Sequence, residues 1–250
     1  MSGHSHWARI KRAKGVTDAR RGRAWSRLSR GIIIAARQGG GDPDMNLTLR
    51  YAIDAARAAN MPKDTIERAI KKGTGELGGA TYEELLFEGY GPGGAAILCS
   101  VLTDNRNRTA PEIKKIFEAR GGRIGAANCV ARLFKKRGVF LITADKADED
   151  TLTGIALETG ADDVRALGDA FELTCDPAVF GAVSKALEAA GITPESAEVS
   201  MVASTSVMLQ GEEADRMMKL IDALEEHDDT QAVHSNFEIS DADAARLSDA

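Results

Sequence analysis

The chain has 250 residues and a mass of 26.6 kDa, more than one ordinary domain needs, and its hydrophobic content of 43% is ample for folded cores. No run approaches the roughly 18 apolar residues of a membrane span, and the N-terminus lacks the apolar stretch of a signal peptide, so a soluble, cytoplasmic protein is expected. The net charge of −6 conceals a division: residues 1–72 hold 16 lysines and arginines against 6 acidic residues, a balance of +10, while residues 73–250 hold 16 against 32, a balance of −16. Such asymmetry is the footprint of a polyanion-binding segment carried by a separate acidic body.

Cations are densest at the start. Arg9, Lys11, Arg12, Lys14, Arg20, Arg21, Arg23, Arg27, Arg30 and Arg37 are opposed only by Asp18 before the run Gly39-Gly40-Gly41. Residues 1–16 show no sustained periodicity and read as a tail that orders on binding. Trp7 lies within it and is open either to packing or to stacking on an unpaired base. Thr17 is placed to cap a helix whose stripe of Ala24, Trp25, Leu28, Ile32 and Ala35 faces inward, so Trp25 reads as a core anchor. A second helix spans residues 46–59, and a third starts at Pro62 and Asp64 and stops at Gly73. Its outward residues are Arg68, Lys71 and Lys72, with Lys63 at the turn. The two helices joined at Asn60-Met61-Pro62-Lys63 have the outline of a helix-turn-helix. The outward face, however, lacks Asn, Gln or Ser suited to base edges and fits phosphate contact better.

Residues 73–81 are glycine-rich and read as a linker. Beyond them strands alternate with helices. Strands at 85–90 and 95–102 flank the turn Gly91-Pro92-Gly93-Gly94, which hairpin geometry explains better than a phosphate cradle. The loop Thr103-Asp104-Asn105-Arg106-Asn107-Arg108 follows. Thr109 to Glu112 has the spacing of a capping box, which would start a helix at Thr109. Arg106 and Arg108, interleaved with Asn105 and Asn107, suit phosphates and ribose hydroxyls; the alternative is an internal tether to Asp104. One or two strands fall within 124–134, and Lys135-Lys136-Arg137-Gly138 reads as a basic turn. Strand 139–143, helix 149–159, strands 163–167 and 171–175, helix 177–190 and strand 198–202 then give the β-α-β-β-α-β order of a ferredoxin-like unit. A strand near Val207, a helix at 213–226 and a strand at 232–239 remain, and the economical solution returns them to the sheet begun at Leu85.

The expected fold is therefore α+β: an N-terminal three-helix bundle, residues 1–78, followed by two α/β-sandwich domains. One is discontinuous, residues 79–136 plus 204–250, and the other is ferredoxin-like and inserted in it, residues 137–203. Cys99, Cys129 and Cys175 are widely separated and read as reduced structural thiols rather than a disulfide or zinc framework. No paired carboxylates, nucleophile elbow or Walker loop is evident. Acidic pairs such as Asp228-Asp229 read as solvated helix-end charge. No catalytic residue, metal, cofactor or small-molecule substrate is expected.

Several segments together resemble the YebC/PmpR family, to which the mitochondrial translational activator of cytochrome c oxidase belongs. They are Gly3-His4-Ser5-His6-Trp7, Gly39-Gly40-Gly41-Asp42-Pro43, residues 58–64, residues 66–73, residues 88–94 and residues 103–109. His6 stands where the family usually carries a lysine, and Trp25 where it commonly has a smaller aromatic. The resemblance implies three domains and a regulator of gene expression that is not an enzyme. It implies either binding to DNA in transcription, or binding to the ribosome and ribosomal RNA to help synthesis through proline-rich stretches. The nucleic-acid contacts expected are Trp7, Arg9, Lys11, Arg12, Lys14, Arg20, Arg21, Arg23, Lys63, Arg68, Lys71, Lys72, Arg106 and Arg108. RNA is favoured, because cations with exposed aromatics suit its splayed bases and 2′-hydroxyls.

Overall fold

The computed structural model describes residues 18–77, 82–240, 243 and 246, with side chains from Trp25 onward. The expected tail, with Trp7 and the cap at Thr17, lies outside the described residues. Helix α1 (Asp18–Gly39) packs against α2 (Leu47–Ala58) and α3 (Lys63–Gly73), and its inward residues Ile32, Ile33, Ala35 and Ala36 are buried with Leu49, Ile53 and Ala56 of α2 and Ile66 and Ala69 of α3. Trp25 closes this core, its indole N–H donating to Ala59 O at 3.0 Å.

The turn from α1 to α2 is organised by one buried side chain. Asn46 Nδ2 donates to Ala35 O at 2.7 Å and Gly40 O at 2.9 Å, while its Oδ1 accepts from Leu49 N–H at 3.1 Å. It thus satisfies the end of one helix and the start of the next. Gly40 adopts φ +85, the left-handed conformation expected just past a helix. Gly73 does more than end α3. A Cβ there would sit 2.4 Å from Ile33 O and 2.7 Å from Ala36 Cβ, so the missing side chain lets α3 lie directly on α1.

The rest of the chain is α/β. Strands β1 (Glu83–Tyr90) and β2 (Ala96–Thr103) form an antiparallel hairpin whose register runs from Glu83 opposite Thr103 to Tyr90 opposite Ala96. Between them the expected glycine turn is a single 3-10 turn, Pro92–Gly94. Helix α4 (Arg106–Ala119) follows and buries Ile113 and Phe117, and the short β3 (Arg123–Ile124) pairs with β1. The helix does not begin at Thr109. Asn105 caps it, Oδ1 accepting from Arg108 N–H at 3.2 Å, and this places the Arg106-Asn107-Arg108 stretch inside the first turn. Asn105 wins because Thr109 is fully buried and its hydroxyl is engaged elsewhere.

Strand β4 (Phe134–Thr143) begins the second α/β element, followed by α5 (Glu149–Thr159), β5 (Asp163–Leu167), β6 (Ala170–Cys175), α6 (Phe180–Ala189) and β7 (Ser196–Ala203). The sheet order β5-β6-β4-β7, antiparallel throughout, is the ferredoxin-like arrangement read from the sequence. Phe140, Ile142, Leu173, Leu152, Val183 and Leu187 make its core. The stretch Lys135-Lys136-Arg137-Gly138 is strand, not a basic turn. β7 pairs with β4 along its whole length, from Phe134 opposite Ala203, and Arg137 is held by Asp162 at 3.3 Å and Asp176 at 3.6 Å.

The last elements are β8 (Val207–Leu209), α7 (Gly211–Glu226), β9 (Thr230–Ser235) and β10 (Phe237–Ile239). β9 joins the first sheet, giving the order β3-β1-β2-β9, but β8 does not return there: it pairs in parallel with β10. The run 232–239 that reads as one strand is broken at Asn236, whose carbonyl accepts from Val207 N–H at 2.8 Å. The chain thereby forms two compact units, one of residues 18–129 with 212–233, the other of residues 130–211 with 234–240. Among the described residues, no helix is long and apolar enough to cross a membrane.

Candidate nucleic-acid interface

The expected contact residues fall into three groups. Trp7, Arg9, Lys11, Arg12 and Lys14 lie outside the described residues. Arg20, Arg21 and Arg23 lie on the first turns of α1. The others are described in full and differ sharply in how committed they are.

On α3 the apolar Ile66 and Ala69 face the bundle, which turns Lys63, Arg68 and Lys71 outward. Lys63 is 87% exposed and sits 3.6 Å from Glu67, one helical turn on. Arg68 and Lys71 have no carboxylate partner among the described residues. Lys72 is different: its ammonium donates to Tyr82 Oη at 3.3 Å and lies 5.2 Å from that ring's centre. The α2–α3 corner that resembles a helix-turn-helix is built into the core. Met61 is buried, and Asn60 holds φ 55 to make the turn.

The loop after β2 is a polar network rather than an open phosphate cradle. Arg106 is 66% exposed and lies 3.9 Å from Glu83. Arg108 reaches Asp229 Oδ2 at 2.7 Å and Asp104 Oδ1 at 3.3 Å. The internal tether therefore exists, but its stronger partner lies 121 residues away. A relay of hydroxyls leads to the same carboxylate: Asn105 N–H donates to Thr103 Oγ1 at 2.9 Å, Thr103 and Thr109 hydroxyls lie 2.7 Å apart, and Thr109 Oγ1 donates to Asp229 Oδ2 at 2.6 Å. Arg30 of α1 approaches Asp229 Oδ1 at 3.4 Å. Burial on its own would raise the Asp229 carboxyl, but the bonds from Thr109 and Arg108 and the charges of Arg108 and Arg30 outweigh it and hold the pKa below the usual carboxylate range.

Asp229, read from the sequence as solvated charge, is thus 4% exposed and is the hub of the site. His227 supports it, accepting from Asp229 N–H at Nδ1 (3.2 Å) while Nε2 meets Glu112 Oε2 at 3.1 Å. No sequence signal marks these partners, because neither charge nor spacing identifies a contact made across 121 residues.

The remaining candidates are structural. Cys99 and Cys175 are buried, and burial pushes their thiols up to about 12 and about 11; Cys129 is half-buried. Among the described residues, no group of three or more His, Cys, Asp or Glu side chains is placed to hold a metal ion. The Glu88 to Gly94 motif serves packing: Glu88 Oε1 accepts from Asn128 N–H at 2.6 Å, and a Cβ on Gly91 would meet Met217 Sδ at 2.5 Å.

A basic helical bundle joined to a hairpin-based α/β element and a ferredoxin-like unit defines a class of protein with a cationic end and an acidic body. The chain belongs to the TACO1/YebC family: the model of that family's N-terminal domain matches residues 5–76 and the model of its second and third domains matches residues 82–237. It is 53% identical over 243 residues to a probable transcriptional regulatory protein of Pelotomaculum thermopropionicum, covering 96% of this chain and 100% of the other. A protein of the same description from Desulforapulum autotrophicum is 54% identical over 241 residues, covering 96% and 98%. The crystal structure of a conserved hypothetical protein from Aquifex aeolicus superposes with a TM-score of 0.80 at 43% identity, covering 90% of this chain and 93% of that one.

Proposed function

We propose that the chain is a non-enzymatic regulator of gene expression that binds nucleic acid, acting as a ribosome-associated translation factor whose basic N-terminal domain lies on ribosomal RNA and assists synthesis through proline-rich stretches. The observation that carries this reading is electrostatic: a balance of +10 is gathered in residues 1–72 of a chain whose net charge is −6. Phosphate backbones reward such a cluster through counterion release, and the acidic remainder limits indiscriminate binding. Arg68 and Lys71, exposed on α3, extend the surface beyond the terminal arm. That helix offers point charges rather than base-reading amides, which suits the shape and backbone of folded RNA better than a DNA sequence.

Replacing Arg9, Lys11, Arg12 and Lys14 together by glutamine is expected to weaken co-sedimentation with purified ribosomes and to flatten its salt dependence. Unchanged co-sedimentation would refute the reading. The second reading, a DNA-binding transcriptional regulator using the same domain, is favoured by the names of the relatives. Crosslinking in cells followed by sequencing separates the two: clustered ribosomal RNA supports translation, and promoter DNA supports transcription.

A further inference from the structure

The two edges of the ferredoxin-like sheet are built differently. The sheet runs β5-β6-β4-β7, and among the described residues no strand pairs with the outer side of β5 or of β7. Such edges recruit other strands unless they are short, charged, bulged or broken by proline. On one side β5 is short, five residues, and carries Asp163 and Arg165. On the other, β7 is eight residues long with no proline, glycine, lysine or arginine, and it follows β4 residue by residue from Ser196 to Ala203 without a bulge. Ala197, Glu198 and Val199 are exposed, Val199 at 37%.

The register shows which backbone groups this edge offers. Ser204 N–H donates to Leu133 O at 2.8 Å, one step beyond the pair Phe134 and Ala203. Ladder bonds alternate along an antiparallel strand, so Glu198, Ser200 and Val202 bond to β4, while the N–H and C=O groups of Ala197, Val199, Met201 and Ala203 point out of the sheet. Side chains alternate too. Val199 lies opposite Gly138 and Ala197 opposite Phe140, so Ala197, Val199 and Met201 share the apolar face that Phe140 turns to the helices. On the other face Lys135 of β4 lies opposite Val202, and Lys135 is exposed.

We propose that the outer edge of β7 pairs antiparallel with the same edge of a second copy of this chain, joining two ferredoxin-like sheets into one, with Ser200 of each copy on the two-fold axis. This register uses every outward group: Ala197 meets Ala203 of the second copy and Val199 meets Met201, and the same pairs recur on the other side of the axis. It is also self-complementary in its side chains. Val199 and Met201 cover each other on the apolar face. Glu198 falls opposite Val202 of the second copy, two strands from that copy's Lys135, a backbone separation of about 10 Å that the two long side chains close together. The basic run at 135–136, placed in an otherwise acidic body, thereby acquires a partner. The surface is separate from the nucleic-acid contacts and does not depend on them.

The test is sedimentation equilibrium of the full-length chain over a concentration series, and the parent is expected to show a monomer–dimer equilibrium. In Val199→Pro the lost N–H points away from β4, so the sheet keeps its own ladder, checked by an unchanged far-UV circular dichroism spectrum, while the dimer weakens about tenfold or more. Glu198→Lys, at an exposed position, sets like charges against each other twice across the seam and weakens the dimer roughly threefold to tenfold. Adding Lys135→Glu to Glu198→Lys restores it. A parent that is monomeric at every concentration, a dimer that Val199→Pro leaves unchanged, or a double variant no tighter than Glu198→Lys alone overturns the proposal.

Discussion

Glu172 lies on β6 opposite Leu141 of β4 and Arg165 of β5, in the middle of the ferredoxin-like sheet, and is only 2% exposed. Among the described residues its Oε2 has no hydrogen-bond partner, and burial, offset in part by Arg165, pushes its pKa from 4.5 up to about 7. The folded state therefore holds a proton that the unfolded chain has already released above its ordinary value. Stability is greatest below about pH 4.5, falls as pH rises toward 7, and levels off once the folded group also ionises. At 1.36 kcal/mol per pKa unit, the difference is worth up to about 3 kcal/mol. Glu172→Gln keeps the shape and removes the titration. Calorimetry of both proteins between pH 5 and pH 8 is expected to show the variant gaining on the parent as pH rises, by a few degrees in Tm. A constant difference across that range, or a Glu172 side chain that titrates by NMR at its ordinary value, refutes the reasoning.

Two further outcomes follow from packing and charge. Gly73→Ala places a methyl against Ile33 O and Ala36 Cβ, forcing α1 and α3 apart, and is expected to destabilise the bundle by about 1–3 kcal/mol; loss of structure in residues 18–73 by amide exchange at lower denaturant checks it, and unchanged protection counts against it. The Asp229 carboxyl, held below its usual range, contributes stability that is present above the unfolded value of about 3.9 and is lost as pH falls through the lower folded one. The Asp229 carboxyl followed by NMR should therefore still be ionised at about pH 4 and titrate only in stronger acid; titration at or above its ordinary value contradicts the assignment of donors to Asp229.

Where the signal was local, the sequence announced the structure. Helix α5 runs from Glu149 to Thr159 and closes at Gly160 in the left-handed conformation, because an Asp148 cap and a terminal glycine act within four residues of the groups they satisfy. The ferredoxin-like order was equally legible from period and turn spacing. Misreadings arose where a distant partner overruled a local pattern. The basic run at 135–138 looks like a turn until β7 supplies an edge along all of it. Thr109 has the spacing of a cap, but its hydroxyl belongs to Asp229. Lys72 looked like a free cation beside Arg68 and Lys71, and Arg108 was open to phosphate contact or to a tether at Asp104; only the fold supplies Tyr82 for the one and Asp229 for the other.

By itself the sequence determined the division of charge, the three helices of the bundle and the alternation that follows, since periodicity, capping and net charge are properties of neighbours along the chain. Tertiary structure alone decided that β8 meets β10, that Glu172 is buried with no partner for one oxygen among the described residues, and that Asp228 and Asp229 have different fates. Those outcomes depend on burial and on contacts made across more than a hundred residues, where desolvation, rather than propensity, selects which polar groups must find each other.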